Sequence, residues 1–254
     1  MNTAITSTNS APQLWNTRYG TINALPVDDT IARSLRQYGE WIEQELDLLS
    51  TMLMEGQSVV EFGGEYGAHT LWLARATGAA GEVHVIEPRR LAMQQLCANL
   101  ALNGLSNVHT HSVWLGRSPG RNELAALMPD IQHGAAGGEQ IRIATLDDLA
   151  LSALHLLKIN LPGTLSATLD GGGETLRRTR PCLYFRLGSQ DAAEAEIKQV
   201  KDLGYRCWSH LPYLHSPRNY AGSAAVNLFP GRVHQNVVAA PVESSMDFEE
   251  LIEL

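Results

Sequence analysis

The sequence is short of the features that mark disulfide-rich, nucleic-acid-binding and membrane proteins. Its 254 residues include three cysteines, and no two of them have Cys-x-x-Cys spacing, so we expect neither disulfides nor a cysteine zinc site. Basic residues number 19 against 27 acidic ones, a net charge of −8, which argues against a nucleic acid partner. No apolar run approaches the ~18 residues that span a bilayer, so we expect no membrane association.

A targeting signal is also missing. No Lys or Arg precedes Arg18, and the first residues hold no apolar core, so they predict neither a signal peptide nor a transit peptide. The three cysteines are then expected to be small buried side chains in a reducing compartment. Together these absences predict a cytoplasmic protein.

The remaining composition is that of a globular α/β protein. Hydrophobic residues make up 44% of the chain, enough for the core of one sizeable domain. Short apolar runs alternate with segments of helical periodicity, which predicts a mostly parallel sheet with helices on both faces. The predicted strands span 58–62, 82–88, 107–114, 154–161, 182–187, 205–210, 224–229 and 236–241. No helix separates the last two, so we expect an antiparallel hairpin at that edge of the sheet.

The predicted organisation has three parts. Residues 1–56 comprise a flexible leader and two helices, 57–241 form the main domain, and 242–254 are an acidic C-terminal tail. The tail carries five acidic residues and no basic one. Two interpretations stay open for it, a solvated tail and a helix that binds a protein partner.

The turn after the first strand of the main domain is rich in glycine. It reads Glu61-Phe-Gly-Gly-Glu-Tyr-Gly67, in which glycines allow a ligand to approach the backbone and the following helix offers free amide groups. The spacing does not match the Gly-x-Gly-x-x-Gly dinucleotide pattern. A second acid, Glu87, ends the next strand, where a carboxylate can accept both hydroxyl hydrogens of a ribose. The combination favours a nucleoside site, although tight-turn glycines and a surface acid are the alternative interpretation.

A series of segments also keeps the order and spacing of a known family. They read VVEFGGEYGAHTLWLA, VIEP, NLALNGLSNV, TLDDL, LLKINLPG, RPCLYFRL, HLPYLHSPRNYAG and QNVVAAP. Over 57–241 the sequence resembles the FkbM-type family of S-adenosylmethionine (SAM)-dependent methyltransferases. The resemblance implies a Rossmann-like class I methyltransferase fold with a seven-stranded sheet, SAM as cofactor and S-adenosylhomocysteine (SAH) as product. It further implies O-methylation of a hydroxyl on a sugar, glycan or polyketide-like small-molecule acceptor.

The resemblance also assigns roles to individual residues. Gly63 and Gly67 would shape the loop around the amino-acid part of the cofactor, and Glu61 stands where the family usually has Asp. Glu87 would hold the ribose, and the residues after the third strand would lie near the adenine. The implied cofactor-binding residues are Glu61, Gly63, Gly64, Glu65, Gly67, Thr70, Glu87, Ser112 and Val113.

The sequence departs from the family at the end of the fourth strand. Where members usually read K-I-D-V-E-G, this chain has Lys158-Ile-Asn-Leu-Pro-Gly163, so Asn160 and Pro162 replace two acids. Asn cannot act as a general base and is a poorer magnesium ligand than a carboxylate, so we expect no metal in the site. Arg186 replaces a further acid, and Gly171-Gly-Gly173 is expected to break the helix between the two strands.

These departures leave two hypotheses. In the first, the protein is an O-methyltransferase in which His210 or His215 takes the hydroxyl proton, and Lys158 and Asn160 complete the catalytic candidates. In the second, it is a catalytically degenerate homologue that serves as a binding or scaffold protein in a biosynthetic complex. The alternative interpretation is that His210 and His215 are ordinary surface histidines and that Lys158 pairs with a nearby carboxylate.

Overall fold

The computed structural model describes residues 14–23, 29–128, 138–224 and 226–254, so most of the predicted leader lies outside the described residues. The strands are β1 (Leu14–Thr17), β2 (Gly20–Asn23), β3 (Ser58–Phe62), β4 (Glu82–Ile86), β5 (Val108–His111), β6 (Trp114–Leu115), β7 (Gly120–Glu123), β8 (Gln140–Ala144), β9 (Leu156–Ile159), β10 (Cys182–Arg186), β11 (Tyr205–His210), β12 (Asn236–Pro241) and β13 (Ile252–Glu253). The helices are α1 (Thr30–Tyr38), α2 (Glu43–Ser50), α3 (Ala68–Thr77), α4 (Arg90–Leu102), α5 (Leu124–Leu127), α6 (Leu165–Asp170), α7 (Gly173–Thr179) and α8 (Gln190–Asp202), with a 3-10 turn over Asp147–Leu149.

The core is an eight-stranded sheet in the order β13-β11-β12-β10-β9-β3-β4-β5. The pairs from β5 to β10 are parallel and the pairs from β10 to β13 are antiparallel. The chain runs outward from β3 to β5 and then crosses back to β9, so the strand order reverses between β3 and β9. Ligands of open α/β sheets bind at the carboxyl ends of the strands at such a reversal. The predicted sheet class is confirmed, with eight strands instead of seven.

The acidic C-terminal segment supplies the extra strand. Its acids are exposed, as expected of a solvated segment, but it forms neither a free tail nor a helix. Residues of β13 pair with Trp208 and Ser209 of β11, and the buried ring of Phe248 packs against Trp208 at 5.0 Å between centroids. Arg206 bonds the carboxylate of Glu253 through two nitrogens. The segment stays on the sheet because apolar contacts and ion pairs act together.

The predicted strand over 224–229 was also wrong, and with it the predicted hairpin. In the described part of this segment, the hydroxyl of Tyr38 donates to the carbonyl of Val226 and accepts from the amide of Leu228. The ring of Phe229 lies against the same tyrosine. Because α1 satisfies these backbone groups, the segment needs no neighbouring strand, and β12 lies between β10 and β11.

The segment N-terminal to residue 57 packs into the same core as the main domain. The side chains of Asn99 on α4 and of Asn103, which caps the end of that helix, accept hydrogen bonds from the amides of Asn23 and Thr21 in the β1–β2 hairpin. One apolar cluster joins Leu46 of α2 to residues of β3, β4 and α3. The described residues before 57 therefore form part of the main domain.

The triple glycine interrupts a helix, as the sequence predicts. Helix α6 ends at Asp170, and α7 begins at Gly173. A Cβ added at Gly171 would lie 2.1 Å from the carbonyl oxygen of Gly116, so only glycine permits this backbone contact. Among the described helices, none has the length and apolar composition needed to cross a membrane.

Candidate active site

A polar cleft opens at the carboxyl ends of β3 and β9, where the strand order reverses. Its walls come from the loop after β3, the start of α3, the N-terminal helices and the ends of β9 and β10. The lining residues are Ile31, Trp41, Glu45, Glu61, Gly63, Gly64, Glu65, Tyr66, Ala68, His69, Asn160 and Arg186.

The loop after β3 has a backbone shape that few residues other than glycine adopt. The φ angles of Gly63, Glu65 and Gly67 are +92°, +52° and +84°. A Cβ on Gly64 would lie 2.3 Å from Cγ2 of Val85, so glycine lets the loop lie directly on β4. Within the described ranges, no side chain caps the start of α3, so its first amide groups stay available to a negatively charged group.

The predicted ribose-binding acid, Glu87, is fully buried at the end of β4. Its Oε1 accepts from the backbone amide and Nε of Arg89, at 2.9 and 2.7 Å. Its Oε2 accepts from an Nη of Arg89 and from the amide of Glu65, at 2.9 and 2.8 Å. The carboxylate thus lies next to the glycine-rich loop, and Arg89 bonds both of its oxygens.

Glu65 faces the cleft with an unusual acidity. Burial is the main reason why the pKa of Glu65 is raised to about 7; the charges of Arg89 and Arg186 oppose the rise, and the acids Glu87 and Asp29 add to it. Because burial outweighs the charges of the two arginines, the carboxyl group of Glu65 exchanges a proton near neutral pH.

Lys158 lies at the centre of a buried polar cluster. Its side chain is completely buried, with Nζ 3.4 Å from Oε2 of Glu45 and 3.5 Å from Oε1 of Glu61. The same nitrogen lies 3.2 Å from Nδ1 of His69 and contacts Oδ1 of Asn160. Two carboxylates from different elements, α2 and β3, therefore share one ammonium group.

The charges in this cluster fix the protonation of its members. Although burial raises the pKa of Glu45, the charge of Lys158 and the contacts with two histidines hold it well below its usual range. Burial and the charge of Lys158 lower the pKa of His69 to about 3. Nε2 of His69 lies 2.7 Å from the carbonyl oxygen of Trp41, so Nε2 carries the hydrogen and Nδ1 accepts from Lys158.

Asn160 and Arg186 stand where the family resemblance leads one to expect acids. The amide nitrogen of Asn160 donates to Oε1 of Glu61 at 3.0 Å and to the carbonyl of Gly63 at 2.9 Å. It therefore connects the end of β9 to the glycine-rich loop. Arg186 donates to Nδ1 of His234 at 2.6 Å, while its buried Nε has no hydrogen-bond partner among the described residues.

Three further predicted cofactor residues lie away from the cleft wall. Thr70 is fully buried and donates to Oε2 of Glu61 at 2.6 Å, so it orients that carboxylate. Val113 is buried in the apolar core, and Ser112 is exposed. Both follow β5, beside the end of β4 where Glu87 lies.

The two predicted proton acceptors are not brought to the cleft wall. Nδ1 of His210 lies 2.8 Å from the hydroxyl oxygen of Tyr184. The side-chain amide of Asn236 donates one hydrogen bond to that hydroxyl and another to the carboxylate of Glu45. His210 thus reaches the cleft through a chain of hydrogen bonds. The ring of His215 packs edge-on against Tyr38 at 4.9 Å between centroids, and this contact accounts for its position.

Sequence reasoning missed Glu45 and His69 as members of the site. Glu45 carried a signal, because it lies on the same helix face as the apolar residues Ile42 and Leu49, three and four positions away. A carboxylate in an apolar stripe needs a buried partner. His69 follows the glycine-rich turn by two residues, but no spacing rule marks it.

Comparisons with known proteins support the fold. No family model matches this sequence, and no curated protein matches it. Among solved structures, it is similar to methyltransferase FkbM from Methylobacillus flagellatus KT, with 15% identity, 84% of this chain and 55% of that chain covered, and a TM-score of 0.51. It is also similar to a SAM-dependent O-methyltransferase from Thermotoga maritima, with 17% identity, coverage of 93% and 80%, and a TM-score of 0.50.

A precorrin-6y C5,15-methyltransferase from Geobacter metallireducens GS-15 has the same TM-score of 0.50, with 11% identity and coverage of 78% of this chain and 87% of that chain. The chain spans 55% of the length of the FkbM protein. At these identities the similarity establishes the fold, which is the Rossmann-like α/β fold of SAM-dependent methyltransferases.

Proposed function

We propose that this chain is a SAM-dependent O-methyltransferase acting on a hydroxyl of a sugar, glycan or polyketide-like acceptor. The observation that carries the proposal is the pairing of the glycine-rich loop with Glu87 on adjacent strands, beside a polar cleft at the strand-order reversal. Both features lie in a fold shared with methyltransferases.

The residues of the loop fit the amino-acid part of SAM. The uncapped start of α3 supplies amide donors for a carboxylate, and the contact of Gly64 with Val85 leaves no space for a larger side chain in the loop. Glu61 and the carbonyl of Gly63 offer acceptors for an ammonium group. SAM, when bound, supplies a methyl group on a positively charged sulfur that an acceptor oxygen can attack.

The fit of the ribose requires a rearrangement. Glu87 accepts two side-chain hydrogen bonds from Arg89. The hydroxyl groups of a ribose must replace at least one of these two donors. Arg89 is about one-fifth exposed (18%), so its guanidinium group can turn toward solvent. The cost of breaking this pair would lower the affinity for the nucleoside.

The proton of the acceptor hydroxyl needs a base within the cleft. Glu65 lines the cleft and has a pKa of about 7, which suits proton transfer at neutral pH. His69 is a poor base because its pKa is about 3. We therefore assign proton acceptance to Glu65 and positioning of the acceptor to Asn160, which lines the cleft. Lys158 is fully buried and acts behind the cleft wall, where it holds Asn160 in place.

Calorimetric titration with SAM and SAH tests the cofactor. We expect binding to the parent protein, weakened about 5- to 150-fold in Glu87→Ala through lost charge-assisted hydrogen bonds. Arg89→Ala should bind more tightly than the parent, because it removes the competing group. Arg90→Ala, which changes the exposed neighbouring arginine, is the matched control and should bind like the parent. Equal affinity in all four proteins would contradict the assignment of Glu87.

A second candidate function has its own support. The replacement of two expected acids by Asn160 and Pro162, together with the engagement of Glu87 by Arg89, favours a degenerate homologue that serves as a binding or scaffold protein. A folded protein that binds neither SAM nor SAH would favour it. Exposed acids of the C-terminal segment such as Glu249 and Glu250 then offer a surface for a basic protein partner. Methyl transfer to a hydroxylated acceptor would exclude the scaffold hypothesis.

A further inference from the structure

Four side chains of metal-ligating type lie on one face of the sheet at its β5 edge. Glu82 and His84 alternate along β4, and His109 and His111 alternate along β5. The parallel register places His84 opposite His109, so all four side chains project from the same face. Their rings form a stack with His84 in the middle, 4.8 Å from His109 and 5.4 Å from His111 between centroids.

The ligand atoms of three of these residues converge. One atom each from Glu82, His84 and His109 lies within 4.8 Å of the other two, and Nε2 of His84 lies 3.6 Å from Oε2 of Glu82. Two ligands bound to a tetrahedral zinc ion at the usual bond lengths lie about 3.4 Å apart. Small side-chain rotations therefore suffice to close the three atoms around one ion.

The nitrogen at the centre of this group has no other partner. Nε2 of His84 is buried and makes no hydrogen bond within the described part of the chain. The opposite ring nitrogen, Nδ1, lies 3.1 Å from Nε2 of His111. If Nδ1 donates in this contact, the lone pair of Nε2 points toward Glu82. A lone pair facing a carboxylate at this distance is favourable only with a cation between them.

Two charged side chains near this group act on a cation in opposite ways. Arg142 lies close enough to His111 to oppose a positive ion, whereas the carboxylate of Glu82 favours one.

We propose that Glu82, His84 and His109 form a binding site for a divalent transition-metal ion such as Zn²⁺. His111 acts as a positioning residue that holds the ring of His84. Two imidazoles and one carboxylate suit zinc and its neighbours in the periodic table, whereas Mg²⁺ and Ca²⁺ prefer oxygen ligands alone. Three protein ligands leave one tetrahedral position for water.

The site is separate from the cleft. Glu82 begins β4 and Glu87 follows its end, so about 16 Å of strand lies between them. A bound ion would link β5, the last strand on this side of the sheet, to β4. The expected consequence is a more stable sheet edge, whether or not the cleft binds SAM. The sequence alone gave no expectation of a metal here, because the two pairs of residues are 25 positions apart.

Titration of the full chain with Zn²⁺, after removal of bound metal with a chelator, tests the proposal. We expect one strong site, a rise in the thermal midpoint on Zn²⁺ addition, and a visible absorption band of tetrahedral Co²⁺. His84→Ala and His109→Ala should each weaken Zn²⁺ binding at least about tenfold, and His111→Ala should weaken it by about 10- to 100-fold as a positioning residue. Thr110→Ala, exposed on the same strand but on the other face, is the matched control and should bind like the parent.

Two results would contradict the zinc site. The absence of Zn²⁺ binding to the folded parent would overturn the proposal, as would unchanged affinity in His109→Ala. If His84→Ala fails to fold, Glu82→Gln and His109→Ala decide the question, because both side chains are exposed and their replacement leaves the core intact. Circular dichroism of each variant without metal verifies that the fold persists.

Discussion

The buried cluster around Lys158 and the ion pairs of the C-terminal segment use the same chemistry in opposite environments. Lys158 and Glu45 are 0% and 1% exposed, whereas Arg206 and Glu253 are 34% and 50% exposed. The exposed pair has the shorter distance, 2.9 Å against 3.4 Å. Distance alone therefore does not rank the two pairs, and burial must be considered first.

The physical reason is the solvent. Water screens the exposed pair and hydrates either partner when the other is lost, so such pairs contribute little to stability. In the interior, the attraction offsets a large cost of removing charges from water, and loss of one partner leaves a charge without hydration or counterion. The buried cluster should therefore be sensitive to single substitutions, and the exposed pairs should not.

The largest effect is expected for Lys158→Met. This substitution keeps the volume but leaves the buried carboxylates of Glu45 and Glu61 without their ammonium partner, which should lower the free energy of unfolding by about 3–5 kcal/mol at pH 7. Urea denaturation measures the change. The loss should shrink at acidic pH, because protonated carboxyl groups need no counterion.

A matched double variant separates charge from packing. Adding Glu45→Gln to Lys158→Met removes one of the uncompensated charges and should recover part of the stability. If the double variant is no more stable than Lys158→Met, the lysine acts through packing of its aliphatic chain, and the comparison of environments fails.

An intermediate effect is expected for Glu65, which lies where the cleft meets solvent. Its pKa rises from 4.5 to about 7 on folding, mainly through burial, so the folded protein keeps a proton that the unfolded chain releases between these values. Parent stability should therefore fall as pH rises through this window and stay level above it. Glu65→Gln should be more stable than the parent at pH 8, by at most about 3 kcal/mol, and equal at pH 4.

Thermal unfolding of both proteins from pH 4 to 8, without cofactor, checks this prediction. A constant difference across the whole range would mean that Glu65 has its ordinary acidity. It would then lose its assignment as the proton acceptor in the cleft.

The smallest effect is expected for Glu253→Gln in the C-terminal segment. The carboxylate accepts from Nε and one Nη of Arg206, but half of it is exposed to water. The thermal midpoint should change by less than about 2 °C. If the thermal midpoint of Glu253→Gln falls as far as that of Lys158→Met, burial does not separate the two kinds of ion pair.

Much of the fold could be predicted because each of its signals is local. The strand 58–62 was predicted with its exact bounds, and the break at Gly171–Gly173 followed from the low helix propensity of glycine. The loop from Gly63 to Gly67 lies at the cleft because parallel strands place their carboxyl ends at one edge. Lys158 and Asn160 reach the same edge for the same reason.

The wrong predictions share one cause. In each case, residues that are distant in the sequence determine the structure of the segment. The segment 224–229 has strand-like composition, but Tyr38 on α1 satisfies its backbone groups. The acidic segment looks solvated because its basic partners, Arg180 and Arg206, lie more than 40 positions away. His210 was expected at the cleft, yet it bonds Tyr184 and is three hydrogen bonds away from the lining residue Glu45.

The sequence by itself determined the α/β class, most strands of the main sheet, and the turn that forms one wall of the cleft. These features follow from periodicity and from the backbone freedom of glycine, which act over a few residues. Only the tertiary structure decided that Glu45 and His69 join Lys158, that Arg89 engages Glu87, and that two strands bring histidines and Glu82 together. Such contacts depend on strand order and burial, because the strength of a charge or hydrogen bond is set by the neighbours and the solvent that the fold leaves around it.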